Sequence, residues 1–135
     1  MFDTNVLLDV LLNRQPFAED SSSAWKLSED GLAECYMSTL SFADLVCIMR
    51  KSLESVSTDE MKAAMSLIFD FVDLTASDLA KAAQLEWDDF EDALQSVSAE
   101  RINADYIVTR HGKDFSSSTI PPITPSDLLQ RFQER

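Results

Sequence analysis

The sequence predicts one α/β domain in which a parallel sheet is covered by helices on both faces. Three observations carry this. Short apolar runs of strand type alternate with helical stripes, the pattern of parallel strands joined by helices. The 135 residues amount to a single domain, 1–135. No repeat or linker divides them, and the only low-complexity stretches are the serines at 21–23 and 116–118.

The elements follow in order. Residues 5–12 (NVLLDVLL) are too apolar for a loop and make the first helix, stopped between Asn13 and Pro16. A second helix starts at Pro16, carries Phe17, Ala18, Ala24, Trp25 and Leu27, and ends at Gly31. Residues 33–38 (AECYMS) read as a strand. Residues 41–53 place Phe42, Leu45, Val46, Ile48 and Met49 at helical spacing. Ser57-Thr58-Asp59-Glu60 has the chemistry of a capping box opening the next helix, whose inner stripe is Met61, Ala64, Met65 and Ile68. A strand at 69–74, a short helix at 77–85 and a longer one at 88–102 come next. Tyr106-Ile107-Val108-Thr109 is a short strand. Residues 121–125 (PPITP) are an extended connector, and a last helix opens at Ser126.

Composition narrows the function. The chain has 11 basic and 24 acidic residues, a net charge of −13. Such a surface repels nucleic acid at long range, which excludes a generic basic DNA- or RNA-coating protein. It does not exclude a metal-bridged nucleic-acid enzyme, because bound cations reverse the local field. Two glycines and four prolines exclude collagen-like or Gly/Pro-rich disordered character. Cys35 and Cys47 lie in apolar surroundings with no C-x-x-C, which predicts buried free thiols in a reducing compartment. No apolar run reaches ~18 residues and no signal peptide is visible, so the expected location is the cytoplasm, with no membrane partner.

Ligands of an open parallel sheet gather where the carboxyl ends of strands meet helices. Four acids fall at or near such ends: Asp3, Asp44, Asp92 and Asp114. Close carboxylates cannot all ionise without a compensating cation. Mg²⁺ or Mn²⁺ would take such oxygen ligands, whereas zinc wants thiolate or imidazole, and His111 is the only histidine. The plain alternative is that an aspartate in a first helical turn caps the helix or offsets its dipole; Asp88, Asp89 and Glu91 are assigned that role. Asp9 is read as a local cap or hydrogen-bonding group, and Asp105 as lying at the opposite end from the site. Trp25 and Trp87 are read as core or interface anchors. Arg50-Lys51 and the Arg110/Lys113 pair are small basic clusters near the pocket, read as solvated ends or phosphate-steering groups.

Four segments carry a resemblance. Residues 1–9 (MFDTNVLLD) resemble the opening of a PIN domain, where a strand ends in D-T-N. Residues 38–45 (STLSFADL), 89–95 (DFEDALQ) and 104–115 (ADYIVTRHGKDF) resemble that family's next three acidic segments, in the family's order. The resemblance implies a three-layer α/β/α fold with a central parallel sheet and metal-dependent endoribonuclease activity. It implies a VapC-type toxin, with RNA as substrate, a protein antitoxin as partner and a homodimeric state. Carried over residue by residue, the acids are Asp3, Asp44, Asp92 and Asp114. Thr4 or Asn5, with Thr109, would position ligands or water, and Mg²⁺ or Mn²⁺ would polarise the scissile phosphate and activate water.

Three departures stand out. The second acid is usually Glu, and Asp44 is one methylene shorter. His111 stands where Asp or Asn is frequent. Only Met1 and Phe2 precede Asp3, against about five or six residues in an ordinary strand. Either further native residues complete that strand or the start of the chain is assigned wrongly. Two other functions compete. One is a PIN-fold binding or scaffold protein with weakened catalysis. The other is a haloacid-dehalogenase-like phosphohydrolase, which wants D-x-D where this chain has Asp3-Thr4-Asn5. A receiver domain fails similarly, because no paired acids end the first strand.

Overall fold

The sheet is held together at its centre by a single residue. In the computed structural model, which describes residues 1–52 and 57–134, β1 (Cys35–Ser38) pairs in parallel with β2 (Phe69–Val72). Separately, β3 (Ile107–Val108) pairs in parallel with β4 (Pro122–Ile123). Phe2 joins the two halves. Its N–H donates to the Tyr36 carbonyl at 2.8 Å, and it forms a parallel bridge to Val108. The Val108 N–H donates to Met1 and the Asp3 N–H to Val108. The spatial order is therefore β2, β1, Phe2, β3, β4, and Asp3 emerges from the middle.

Two expectations change here. The first strand is this one-residue bridge, and its terminal ammonium is buried, donating to the Tyr106 carbonyl at 3.1 Å. The 121–125 connector contains β4, an edge strand. Pro122 costs the ladder nothing, because the pairing runs through carbonyls: Ile107 N–H donates to Pro121 and Thr109 N–H to Ile123.

Side chains alternate across the sheet as strand geometry requires. Phe2, Cys35, Met37, Phe69, Val108 and Ile123 face one core, which α1 (Thr4–Leu11), α2 (Ala18–Glu29), α3 (Thr39–Ser52), α4 (Thr58–Ser66) and α7 (Pro125–Gln133) cover. Trp25 packs edge-on to Phe69 at 5.2 Å, a core role as read from sequence. Met1, Val72 and Ile107 face the other core, with Ala99 and Phe115. That side is covered by α5 (Ala76–Leu85), α6 (Phe90–Arg101) and a 3₁₀ turn, Gly112–Phe115. The fold is thus α/β with three layers.

Local signals set the boundaries. Ser57 caps α4 by accepting from Glu60 N–H, and Gly31 (φ 70°) closes α2 in a left-handed conformation that its missing Cβ permits. The expected end of the third helix at Leu53 lies outside the described residues. Thr75 and Asp78 cap α5 reciprocally, and Arg101 of α6 grips the same Asp78 carboxylate at 3.1 and 3.0 Å, so one acid ties α5 to α6. Cys35 is buried as expected. Cys47 is exposed, on the outer face of α3, because that helix buries Ser41, Leu45 and Met49 instead. Among the described residues no helix is long and apolar enough to cross a membrane.

Candidate active site

Three helices start around one cavity at the carboxyl ends of the strands. α1 begins directly after Asp3, α3 directly after β1, and α6 after Asp89. The cavity, about 320 Å³, is lined from α1 by Asp3, Thr4 and Asn5, from β1 and α3 by Ser38, Ser41 and Asp44, and from α6 by Asp89, Glu91, Asp92 and Gln95. Helix N-termini carry partial positive charge, so this is a place where carboxylates and phosphate oxygens are both stabilised.

Asp3 is the most enclosed of the acids that line the cavity, 5% exposed. It precedes α1 but does not make the usual capping bond. Its oxygens are committed elsewhere: Oδ1 accepts from Gln95 Nε2 at 2.9 Å and Oδ2 from the Thr109 hydroxyl at 2.8 Å. Thr109 Oγ1 in turn accepts from His111 N–H at 3.0 Å. Burial raises the Asp3 pKa, and the Thr109 bond opposes that rise. Beside it, Thr4, Ser41 and Ser38 form a chain of hydroxyls at 2.8 and 3.1 Å.

Asp92 is pushed up to about 7, first by burial and then by the charges of Asp89, Asp3, Asp114 and Glu91. Glu91 is raised too, by burial and by Asp44 beside it. These are the marks of acids crowded without a counter-charge.

Asp3, Asp44 and Asp92 thus line one cavity, with Thr4 and Asn5. Thr109 stands behind Asp3 as its hydrogen-bond donor. Asp114 is not a lining residue. It sits exposed on the 3₁₀ turn and reaches the site through its charge on Asp3 and Asp92. Asp89 caps α6 as read from sequence, accepting from Asp92 N–H at 3.2 Å, yet it also lines the cavity. Glu91 stands in the first turn of α6, where its charge offsets the helix dipole, and it also lines the cavity; the N-cap itself is Asp89. Gln95, Ser38 and Ser41 were missed. The signal for Gln95 was available: it stands three residues after Asp92 on one helix, which puts both on one face.

Asp9 is not a local cap. It is fully buried and paired with Arg110, which also lies over the Phe17 ring at 3.8 Å. Arg110 is therefore committed to the fold, and Arg50 bonds Thr58 at 2.7 Å. Asp105 lies beside the Met1 ammonium, away from the cavity.

A divalent cation suits this donor set. The described lining residues offer oxygen ligands and neither imidazole nor thiolate, which favours a hard ion. Gln95 Oε1 is buried with no hydrogen-bond partner among the described residues. Among the described residues no three acidic, histidine or cysteine side chains form a group that would by itself enclose an ion.

Comparison with known proteins gives one match. The family model of the PIN domain aligns with residues 1–113, which includes Asp3, Asp44 and Asp92 and stops one residue short of Asp114. Neither the curated proteins nor the solved structures provide a match. PIN domains are generally nucleases that use divalent metal ions. With four-fifths of its length in that match, the chain belongs to the PIN-domain family.

Proposed function

We propose that this protein is a Mg²⁺- or Mn²⁺-dependent endoribonuclease whose site is built from Asp3, Asp44 and Asp92, with Asp114 tuning it from outside the cavity. The observation that carries the reading is the meeting of these three acids with three helix N-termini in one open cavity. Acids alone repel a phosphodiester, and helix ends alone would bind it without cleaving it. Together they suit a cation bound on one side and a phosphate on the other.

Asp3, Asp44 and Asp92 are the residues that would hold the ion. When bound, it supplies Lewis acidity toward a phosphate oxygen and activates water. The protein's own part is positioning. Thr109 and Gln95 fix both oxygens of Asp3, and the Thr4–Ser41–Ser38 hydroxyls offer rotatable donors toward a phosphate. Burial of Asp3 keeps water from competing for it. The finer assignment, a homodimeric cytoplasmic toxin neutralised by a protein antitoxin, rests on the four sequence segments.

The test is cleavage of single-stranded RNA with Mn²⁺ or Mg²⁺, against EDTA and against Asp92→Asn. Activity surviving EDTA, or full activity in Asp92→Asn, overturns the mechanism. Asp44, His111 and the net charge of −13 favour one second reading, a PIN-fold scaffold with weakened catalysis. A scaffold need not take up a cation at this cavity, whereas the nuclease must, so calorimetry with Mn²⁺ discriminates the two.

A further inference from the structure

The Gln95 carboxamide is 5% exposed, in the wall of the acidic cavity. Its two ends are used unequally. Nε2 donates to Asp3 Oδ1 at 2.9 Å, and that bond fixes the orientation of the amide, because a carbonyl turned toward an ionised Asp3 would meet only repulsion. Oε1 is left buried without a donor among the described residues. A buried polar atom without a partner is costly, and native structures rarely keep one without a use. The five carboxylates of the wall have no proton to give when ionised, and its hydroxyls, Thr4, Ser41 and Ser38, are bonded to one another. The partner that fits is a water or a cation from outside the protein, and the acids around it favour the cation.

We infer that Gln95 Oε1 is a neutral oxygen donor to the divalent cation held by Asp3, Asp44 and Asp92, either directly or through a water on the ion. The inference rests on the proposed cation site and adds to it a residue that carries no charge. A neutral amide oxygen raises the number of donors without adding to the repulsion among the acids. It also couples the ligand to Asp3, since one rigid amide would hold both.

The experiment measures Mn²⁺ affinity by calorimetry, with thermal stabilisation by Mn²⁺ as a second readout, for wild type, Gln95→Met, Gln95→Glu and Asp92→Asn. Gln95→Met keeps the shape and removes both polar ends, and is expected to raise the Kd at least about tenfold. Gln95→Glu keeps an oxygen donor but loses the bond to Asp3. It is expected to lower stability in EDTA while holding Mn²⁺ within about threefold of wild type. Gln95→Glu as weak as Gln95→Met would mean that the residue only orients Asp3, and would overturn the inference. An unchanged Kd in Gln95→Met overturns it equally. Should Gln95→Met not fold, the Gln95→Glu affinity decides alone by the same limit. These failures leave the cation site standing so long as Asp92→Asn still abolishes binding. Absence of Mn²⁺ binding in wild type removes the site itself, and the inference with it.

Discussion

Arg110 grips the carboxylate of Asp9 across 101 residues of chain, Nη2 to Oδ1 at 3.1 Å and Nε to Oδ2 at 2.5 Å. The pair pins the segment after β3 onto α1, and α1 is the helix that Asp3 introduces. Asp9 has no exposure at all, while Arg14 lies at 3.9 Å and contributes less. Removing one partner of a buried pair strands the other charge, at a cost of about 3–5 kcal/mol. Arg110→Met is expected to destabilise the protein within that range by urea denaturation. The Asp9→Asn/Arg110→Met double variant should lose clearly less than the two single losses added together. Strict additivity would show that the pair is not coupled.

The crowded acids predict an inverted pH response in the absence of divalent cations. Asp92 keeps its proton up to about 7 in the folded chain, against an ordinary 3.8. Between those values the unfolded chain sheds that proton first, so this group's contribution to stability falls as pH rises. Asp92→Asn cannot titrate. Its melting temperature relative to wild type should climb from pH 5 to pH 7 in EDTA, and the gain should reverse when Mn²⁺ is added. A difference that stays constant with pH would contradict the raised carboxyl.

The Met1 ammonium has the opposite sign. Burial lowers it from 8.0 to about 6. The unfolded chain then binds the proton more readily between these values, and stability rises with pH through that window. The ladder also points to a repair. Because Phe2 N–H donates to Tyr36 O, the parallel register turns the Tyr36 N–H toward the position before Met1. A variant with several apolar residues added there moves the charge out of the sheet and supplies that N–H with a carbonyl. It should melt higher than the 135-residue chain at pH 6, and the rise from pH 6 to 8 should vanish. An extension that lowers the melting temperature would rule out a strand in that position.

How much of this was legible depended on whether the signal was local. The helices announced themselves by spacing and caps, and the acids by their place after strands, because both are written within a few residues. β4 was hidden because Pro121, Pro122 and Pro125 argue against a strand unless one knows that the ladder at this edge uses the Pro121 and Ile123 carbonyls. The Asp9–Arg110 pair was hidden because nothing in sequence joins positions so far apart. Cys47 looked buried from its apolar neighbours, but the orientation of α3 is set by Leu45 and Met49 packing inward. Glu91 read as a first-turn acid of α6, which it is, but that its side chain also lines the cavity is decided by where α6 packs.

The net charge of −13 makes a last prediction that joins composition to site. A basic groove binds RNA by releasing counterions, so its affinity falls steeply with salt. Here the described acids of the cavity would repel RNA, and the cationic Arg110 and Arg101 are already paired with Asp9 and Asp78. RNA binding in EDTA should therefore be weak and nearly flat with monovalent salt. Adding Mn²⁺ should create binding that depends on the cavity. Asp3→Asn and Asp92→Asn should abolish that increment together with cleavage, whereas Asp88→Asn, outside the cavity wall, should keep both. Fluorescence anisotropy with a single-stranded RNA across a salt series reads all of these. Tight, steeply salt-dependent binding in EDTA would mean that a cationic surface recognises the RNA and that the acidic cavity does not.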